Sequence, residues 1–136
     1  LAQMRLADTG DPDTAITDAM THASARALTE LGIGTILCIS GSGFTVRSMA
    51  RFRPAARILG FSSNERTVRQ LTLSWGTEPF HLPEDGDIER RVLAALNLAR
   101  DQGHVAVDEL VAVLAGTDAR SRSTNVLRVE RVAGPD

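Results

Sequence analysis

The chain has 136 residues, enough for one domain with a buried core, and its apolar share of 43% and charged share of 24% are ordinary for a globular protein. A formal net charge of −2 gives no basic footprint for nucleic acid and no polybasic tract for a membrane surface, and no apolar run approaches the ~20 residues of a membrane span. A single cysteine excludes an internal disulfide and fits a reducing, cytoplasmic setting, and all 15 basic residues are arginine, which excludes a phosphate-binding P-loop lysine and Schiff-base chemistry.

Leu1–Asp11 is polar and ends in Asp11-Pro12, so residues 1–12 are expected to be a leader or linker and 13–133 the folded domain. Asp13 or Thr14 is placed to cap a first helix reaching Leu31, with Ile16, Met20, Ala23, Ala27 and Leu31 as its apolar stripe. Gly32 and Gly34 stop it. Thr35–Ile39 is then a continuous apolar, β-branched run without period-two alternation, the pattern of a strand buried on both faces.

Ser40–Thr45 follows, with two glycines and three hydroxyl residues, and leads into a helix over Phe44–Phe52 that stops before Arg53-Pro54. A strand, a Ser/Gly turn and a helix N-terminus form an anion site from backbone amides, with the hydroxyls as further donors. Ser40, Gly41, Ser42, Gly43, Phe44 and Thr45 are therefore the candidate phosphate-binding residues. The same hydroxyls also suit plain turn and cap chemistry. A hydrolase elbow would need glycine two residues before Ser42, where Ser40 stands.

Arg57–Ser62 predicts a second strand, and Ser63 or Asn64 caps a third helix with Val68, Leu71 and Trp75 inward and Gly76 closing it. Thr77–Leu82 is a third strand, Pro83–Asp87 an acidic turn, and Asp87–Arg100 a fourth helix with Ile88, Val92, Ala95, Leu96 and Ala99 inward. Leu110–Ala115 is a further buried strand, Gly116–Ser123 a polar loop, and Thr124–Val132 a last β-rich strand. His22, His81 and His104 lack metal-ligand spacing, and Cys38 reads as a buried thiol.

Alternating strands and helices predict a three-layer α/β/α sandwich on a mostly parallel five-stranded sheet, in order 3-2-1-4-5 with the last strand antiparallel. Its two strands at the reversal end in Ser40–Thr45 and Gly116–Ser123, where such sheets bind ligands. Arg120, Ser121, Arg122 and Ser123 would stand across from the turn, Arg120 and Arg122 either as solvated charges or as anion partners. The terminal strand lies at the sheet edge and offers backbone groups to a second copy. Arg128, Glu130 and Arg131 either blunt that edge or pair across a two-fold axis, Arg128 of one strand facing Glu130 of the other.

Several motifs in this order resemble the C-terminal domain of pyruvate kinase. They are Ser42-Gly43-Phe44-Thr45-Val46-Arg47, Arg53-Pro54, Asn64-Glu65 with Thr67 and Arg69, Leu71-Thr72-Leu73-Ser74-Trp75-Gly76 to Pro79, and Ser123-Thr124-Asn125 with Leu127 and Val129. Gly41 and Arg122 depart from the family's pattern. The resemblance implies an allosteric and oligomerisation domain, with a phosphorylated small-molecule effector at residues 40–45 and a covering loop including Arg120–Ser123. The same resemblance favours the homodimer through the last strand. It implies a partner, the parent's catalytic barrel, which would hold Mg and K and transfer a phosphoryl group from phosphoenolpyruvate to ADP. This domain itself would hold no cofactor and be inactive alone. The alternative is a free-standing small α/β enzyme acting on a phosphorylated metabolite at the same turn.

Overall fold

The computed structural model of the chain describes residues 12–83, 86–116 and 124–135. The elements are α1 (Pro12–Leu31), β1 (Thr35–Ile39), α2 (Phe44–Arg51), β2 (Arg57–Ser62), α3 (Glu65–Leu71), β3 (Thr77–His81), α4 (Ile88–Asp101), β4 (Leu110–Ala115) and β5 (Val126–Arg131). The sheet runs β3-β2-β1-β4-β5, as the sequence predicts, with β1, β2, β3 and β4 parallel and β5 antiparallel to β4. Leu37 of β1 lies at the centre, paired with Leu59 on one side and Val113 on the other. No described helix is long and apolar enough to cross a membrane.

The unbroken apolar run of β1 has a direct cause. Ile36 and Cys38 face one layer, where Leu28 of α1, Val46 and Met49 of α2 and Leu71 of α3 pack. Leu37 and Ile39 face the other, against Val92, Ala95, Leu96 and Ala99 of α4. Three helices therefore cover one face and α4 the other, and alternate residues on the central strand both need to be apolar. Gly60 of β2 lets α2 approach: a Cβ there would lie 3.0 Å from Cγ1 of Val46 and 3.4 Å from Cδ1 of Leu71.

Three element readings are corrected. Helix α1 starts at Pro12, a residue whose fixed φ suits the first turn. Its buried face is Thr17, Thr21, Ser24 and Leu28, whereas Ile16 is 40% and Leu31 52% exposed. The hydroxyls go inward because Thr21 and Ser24 donate to the carbonyls of Thr17 and Met20, at 2.6 and 2.8 Å, four residues back. Helix α3 ends at Leu71, not Trp75. A turn follows in which the amides of Leu73 and Ser74 donate to the carbonyls of Gln70 and Leu71. Leu71 is fully buried, and Trp75 lies outside the helix, 45% exposed. The leader reading for residues 1–11, the acidic pair Glu84-Asp85 and Arg120–Ser123 lie outside the described residues.

Candidate functional site

The turn after β1 sits where the sheet order reverses. It lies between the carboxyl ends of β1 and β2, with β4 on the other side of β1. Ser40 is anchored by its amide to the Phe61 carbonyl at 2.9 Å, and its Oγ accepts from the Thr45 amide at 3.4 Å. Ser42 Oγ accepts from the Phe44 amide at 3.3 Å. Both hydroxyls thus sit on amides that open α2, in long and easily exchanged bonds. Gly41 is held from behind, its carbonyl accepting from Ser62 Oγ and Thr67 Oγ1, each at 3.0 Å.

Gly43 is the helix's N-cap, and its backbone favours glycine. Its φ is 82°, in the left-handed region, and a Cβ would lie 2.7 Å from Nη1 of Arg47 and 3.0 Å from Cγ2 of Thr67. The Arg47 guanidinium is thus folded back along α2 onto the turn. Thr45, 3% exposed, hydrogen-bonds its hydroxyl to that of Thr124, which is fully buried at the approach to β5. Of the candidate residues, Ser40 through Thr45 are therefore one contiguous feature, with Ser42 exposed and Thr45 engaged inward.

Sequence reasoning missed Arg91. It is 4% exposed on α4, with Nη2 donating to the Gly116 carbonyl at 2.7 Å and Nε to the Gly86 carbonyl at 3.2 Å. Together with Ser40, Gly41, Ser62 and Ser63 it lines a small cavity of about 10 Å³, room for about one water. The signal was present, because Arg91 falls three residues after Ile88 and four before Ala95, on the inward stripe of α4. A buried guanidinium among hydroxyls and backbone amides suits an anion far better than a cation.

The remaining candidates are structural. Cys38 is fully buried, and burial pushes its thiol up to about 12, so little thiolate is present at neutral pH. His22 stands edge-on to Phe52 and His104 edge-on to Phe80, with ring centroids 4.6 and 4.9 Å apart, and a ring nitrogen of His81 meets the Ser63 carbonyl at 3.2 Å. Asp87 caps α4 by accepting from the Arg90 amide at 2.9 Å. Among the described residues no three of His, Cys, Asp and Glu stand together as a metal cluster. Arg128 does not wait unpaired at the edge: both of its terminal nitrogens bond the carboxylate of Glu89 on α4, and Glu130 stands 3.8 Å away. The reason is facial, since Arg128 and Glu130 are two residues apart and share the side of the sheet that α4 covers.

Residues 18–130 match the family described as pyruvate kinase, alpha/beta domain. The chain is similar to a pyruvate kinase of Lactobacillus delbrueckii subsp. bulgaricus, 28% identical over 116 residues, which is 85% of this chain and 20% of the relative. A pyruvate kinase of Geobacillus stearothermophilus is 30% identical over 126 residues, 92% of this chain and 22% of the relative. One from Methylorubrum extorquens is 26% identical over 125 residues, 91% and 26% respectively. The chain spans about a fifth to a quarter of the length of these curated relatives.

Proposed function

The chain belongs to the pyruvate kinase alpha/beta domain family, and on that premise we propose that it is the allosteric and oligomerisation domain of a pyruvate kinase, reading a phosphorylated effector at residues 40–45. The parent would transfer a phosphoryl group from phosphoenolpyruvate to ADP in a barrel that holds Mg and K, in the cytoplasm. The observation that carries the effector site is the Ser40–Thr45 turn at the reversal of the sheet, opening α2 and backed by buried Arg91.

An effector phosphate would take the amides of Ser42–Thr45, displacing the hydroxyls of Ser40 and Ser42 from the Thr45 and Phe44 amides and keeping them as donors. Arg91 supplies positive charge under the turn while its carbonyl partners hold it in place. Arg120, Ser121, Arg122 and Ser123 would cover the ligand. Their loop leaves β4 after Gly116 and returns at Thr124, whose hydroxyl is bonded to Thr45 of the turn. Occupancy of the turn would thereby reach the edge strand β5, through which two copies would pair.

The test is titration of the chain with ribose 5-phosphate, followed through the amide resonances of residues 40–45. Saturable shifts centred on the turn are expected, and Ser42→Ala should weaken binding by about 1 kcal/mol, the usual worth of one hydrogen bond. Shifts elsewhere, or none with any sugar phosphate, would overturn the effector site. Magnesium-dependent pyruvate formation by the chain alone would overturn the regulatory assignment.

A further inference from the structure

A second cleft lies away from the Ser40–Thr45 turn. It lies along the other end of α2, has a volume of about 390 Å³, and is lined by Arg47, Ala50, Arg51, Arg53, Ser74 and Trp75. Arg51 and Arg53 precede β2, and Ser74 and Trp75 precede β3, so the cleft opens at the amino ends of parallel strands whose carboxyl ends carry the Ser40–Thr45 turn. That volume is within the range of small-molecule sites.

Its chemistry is one-sided. Arg47, Arg51 and Arg53 are all exposed, and none forms an ion pair among the described residues, although the chain as a whole is net negative. Arg51 Nη2 donates only to a neutral hydroxyl, Ser48 Oγ, at 3.3 Å. The Arg53 guanidinium stands 5.7 Å from the centre of the Trp75 ring, and Trp75 is 45% exposed. Arg53 also holds a left-handed backbone, φ 47°, directly before Pro54. A residue with a side chain resists that conformation, and a following proline disfavours it further. Strained non-glycine residues concentrate at binding sites, and this one carries the charge that meets the indole.

The geometry points to a second ligand site, separate from the effector turn: the cleft binds a nucleoside phosphate, its phosphates on Arg51 and Arg53 and its base against Trp75. Arg47 lines the cleft while its guanidinium reaches back to Gly43, which leaves the charges of Arg51 and Arg53. Two like charges call for a ligand with more than one negative charge, since each guanidinium can take a phosphate oxygen pair. A half-exposed indole beside them adds a flat apolar wall that a free polyphosphate would leave unused and that a base can stack on.

Trp75 is the single tryptophan of the chain, so its emission reports the cleft without interference. The full chain would be titrated with GDP, with pyrophosphate as the ringless probe and guanosine as the uncharged one. Saturable quenching by GDP is expected, with pyrophosphate binding at least fivefold more weakly and guanosine not saturating. Arg51→Ala and Arg53→Gly should each weaken GDP at least fivefold. Glycine accepts the positive φ of residue 53, so the second variant removes the guanidinium while relaxing the backbone. Absence of saturable quenching, pyrophosphate as tight as GDP, or unchanged affinity in both arginine variants overturns the assignment. So does loss of GDP binding in Ser42→Ala with retention in the arginine variants, which would place the nucleotide at the turn.

Discussion

The hydroxyls of Thr45 and Thr124 meet across 79 residues of sequence, both buried, and join the turn after β1 to the start of β5. Each is the other's partner just before β5 begins. Replacing one leaves the other hydroxyl buried without it, which costs about 1–3 kcal/mol. Thr124→Val should therefore destabilise the chain by that amount in urea unfolding. The double variant Thr45→Val with Thr124→Val should cost clearly less than the sum of the two singles. Strict additivity would show that the two hydroxyls do not depend on each other.

Much of this was legible in the sequence, for reasons visible in the packing. The Thr35–Ile39 run identified the central strand because Ile36 and Cys38 meet one helix layer while Leu37 and Ile39 meet the other. The sheet order followed from right-handed crossovers and the length of the connection after β4. What the pattern could not carry was a buried face made of hydroxyls. Thr17, Thr21 and Ser24 hold no hydropathy signal, so α1 was turned by about one residue toward Ile16 and Leu31. Arg91 differs, since its position on the inward stripe of α4 was a signal, but a charged side chain there reads as surface until its carbonyl partners are known. The i, i+4 spacing of Leu71 and Trp75 suggested one continuous helix, but the turn at residues 72–75 ends α3 and leaves Trp75 beside Arg53.

Gly60 marks the closest approach of α2 to the sheet. A Cβ there would lie 3.0 and 3.2 Å from the two γ-carbons of Val46. Val46 is fully buried and cannot swing into solvent. Gly60→Ala should destabilise by about 1–3 kcal/mol through overpacking. Adding Val46→Ala should return part of that loss, because the second change removes the atoms in the way. A double variant less stable than both singles would place the strain elsewhere.

The Glu89–Arg128 pair predicts a specific acid response. Hydrogen bonding to Arg128, with its charge as a lesser cause, holds the Glu89 carboxyl below the usual carboxylate range. A depressed folded pKa means that the pair's contribution is present above the unfolded glutamate value, ~4.3, and is lost as pH falls through the lower folded value. Acid unfolding of the native chain should therefore start at lower stability cost per proton near pH 5 and steepen below pH ~4. Glu89→Gln should remove that part of the slope, lowering stability near neutral pH by the small amount that a solvent-exposed pair contributes and matching the native chain once pH is below the folded value. The difference should shrink in ~1 M salt, where exposed charges are screened. An identical acid limb in the variant would show that the bond contributes nothing in solution.

The same ion pair redirects the dimer prediction. Strand β5 is the sheet edge, and its outward backbone groups offer a second copy a place to pair antiparallel. Arg128 is held by Glu89 of its own chain, so it is not free to meet Glu130 across a two-fold axis in the way the sequence suggests. The contact would rest instead on backbone pairing and on Val129, 42% exposed on the face opposite α4. Val129→Lys should then shift the dimer toward monomer in sedimentation equilibrium, because it sets two like charges near the axis. Arg128→Ala should change the dimer constant less than Val129→Lys, having lost an intrachain partner only. If Arg128→Ala dissociates the dimer and Val129→Lys does not, the interface runs through the α4 side of the strand. A chain that stays monomeric at high concentration means that β5 is a solvated edge, with its charges serving to keep other strands away.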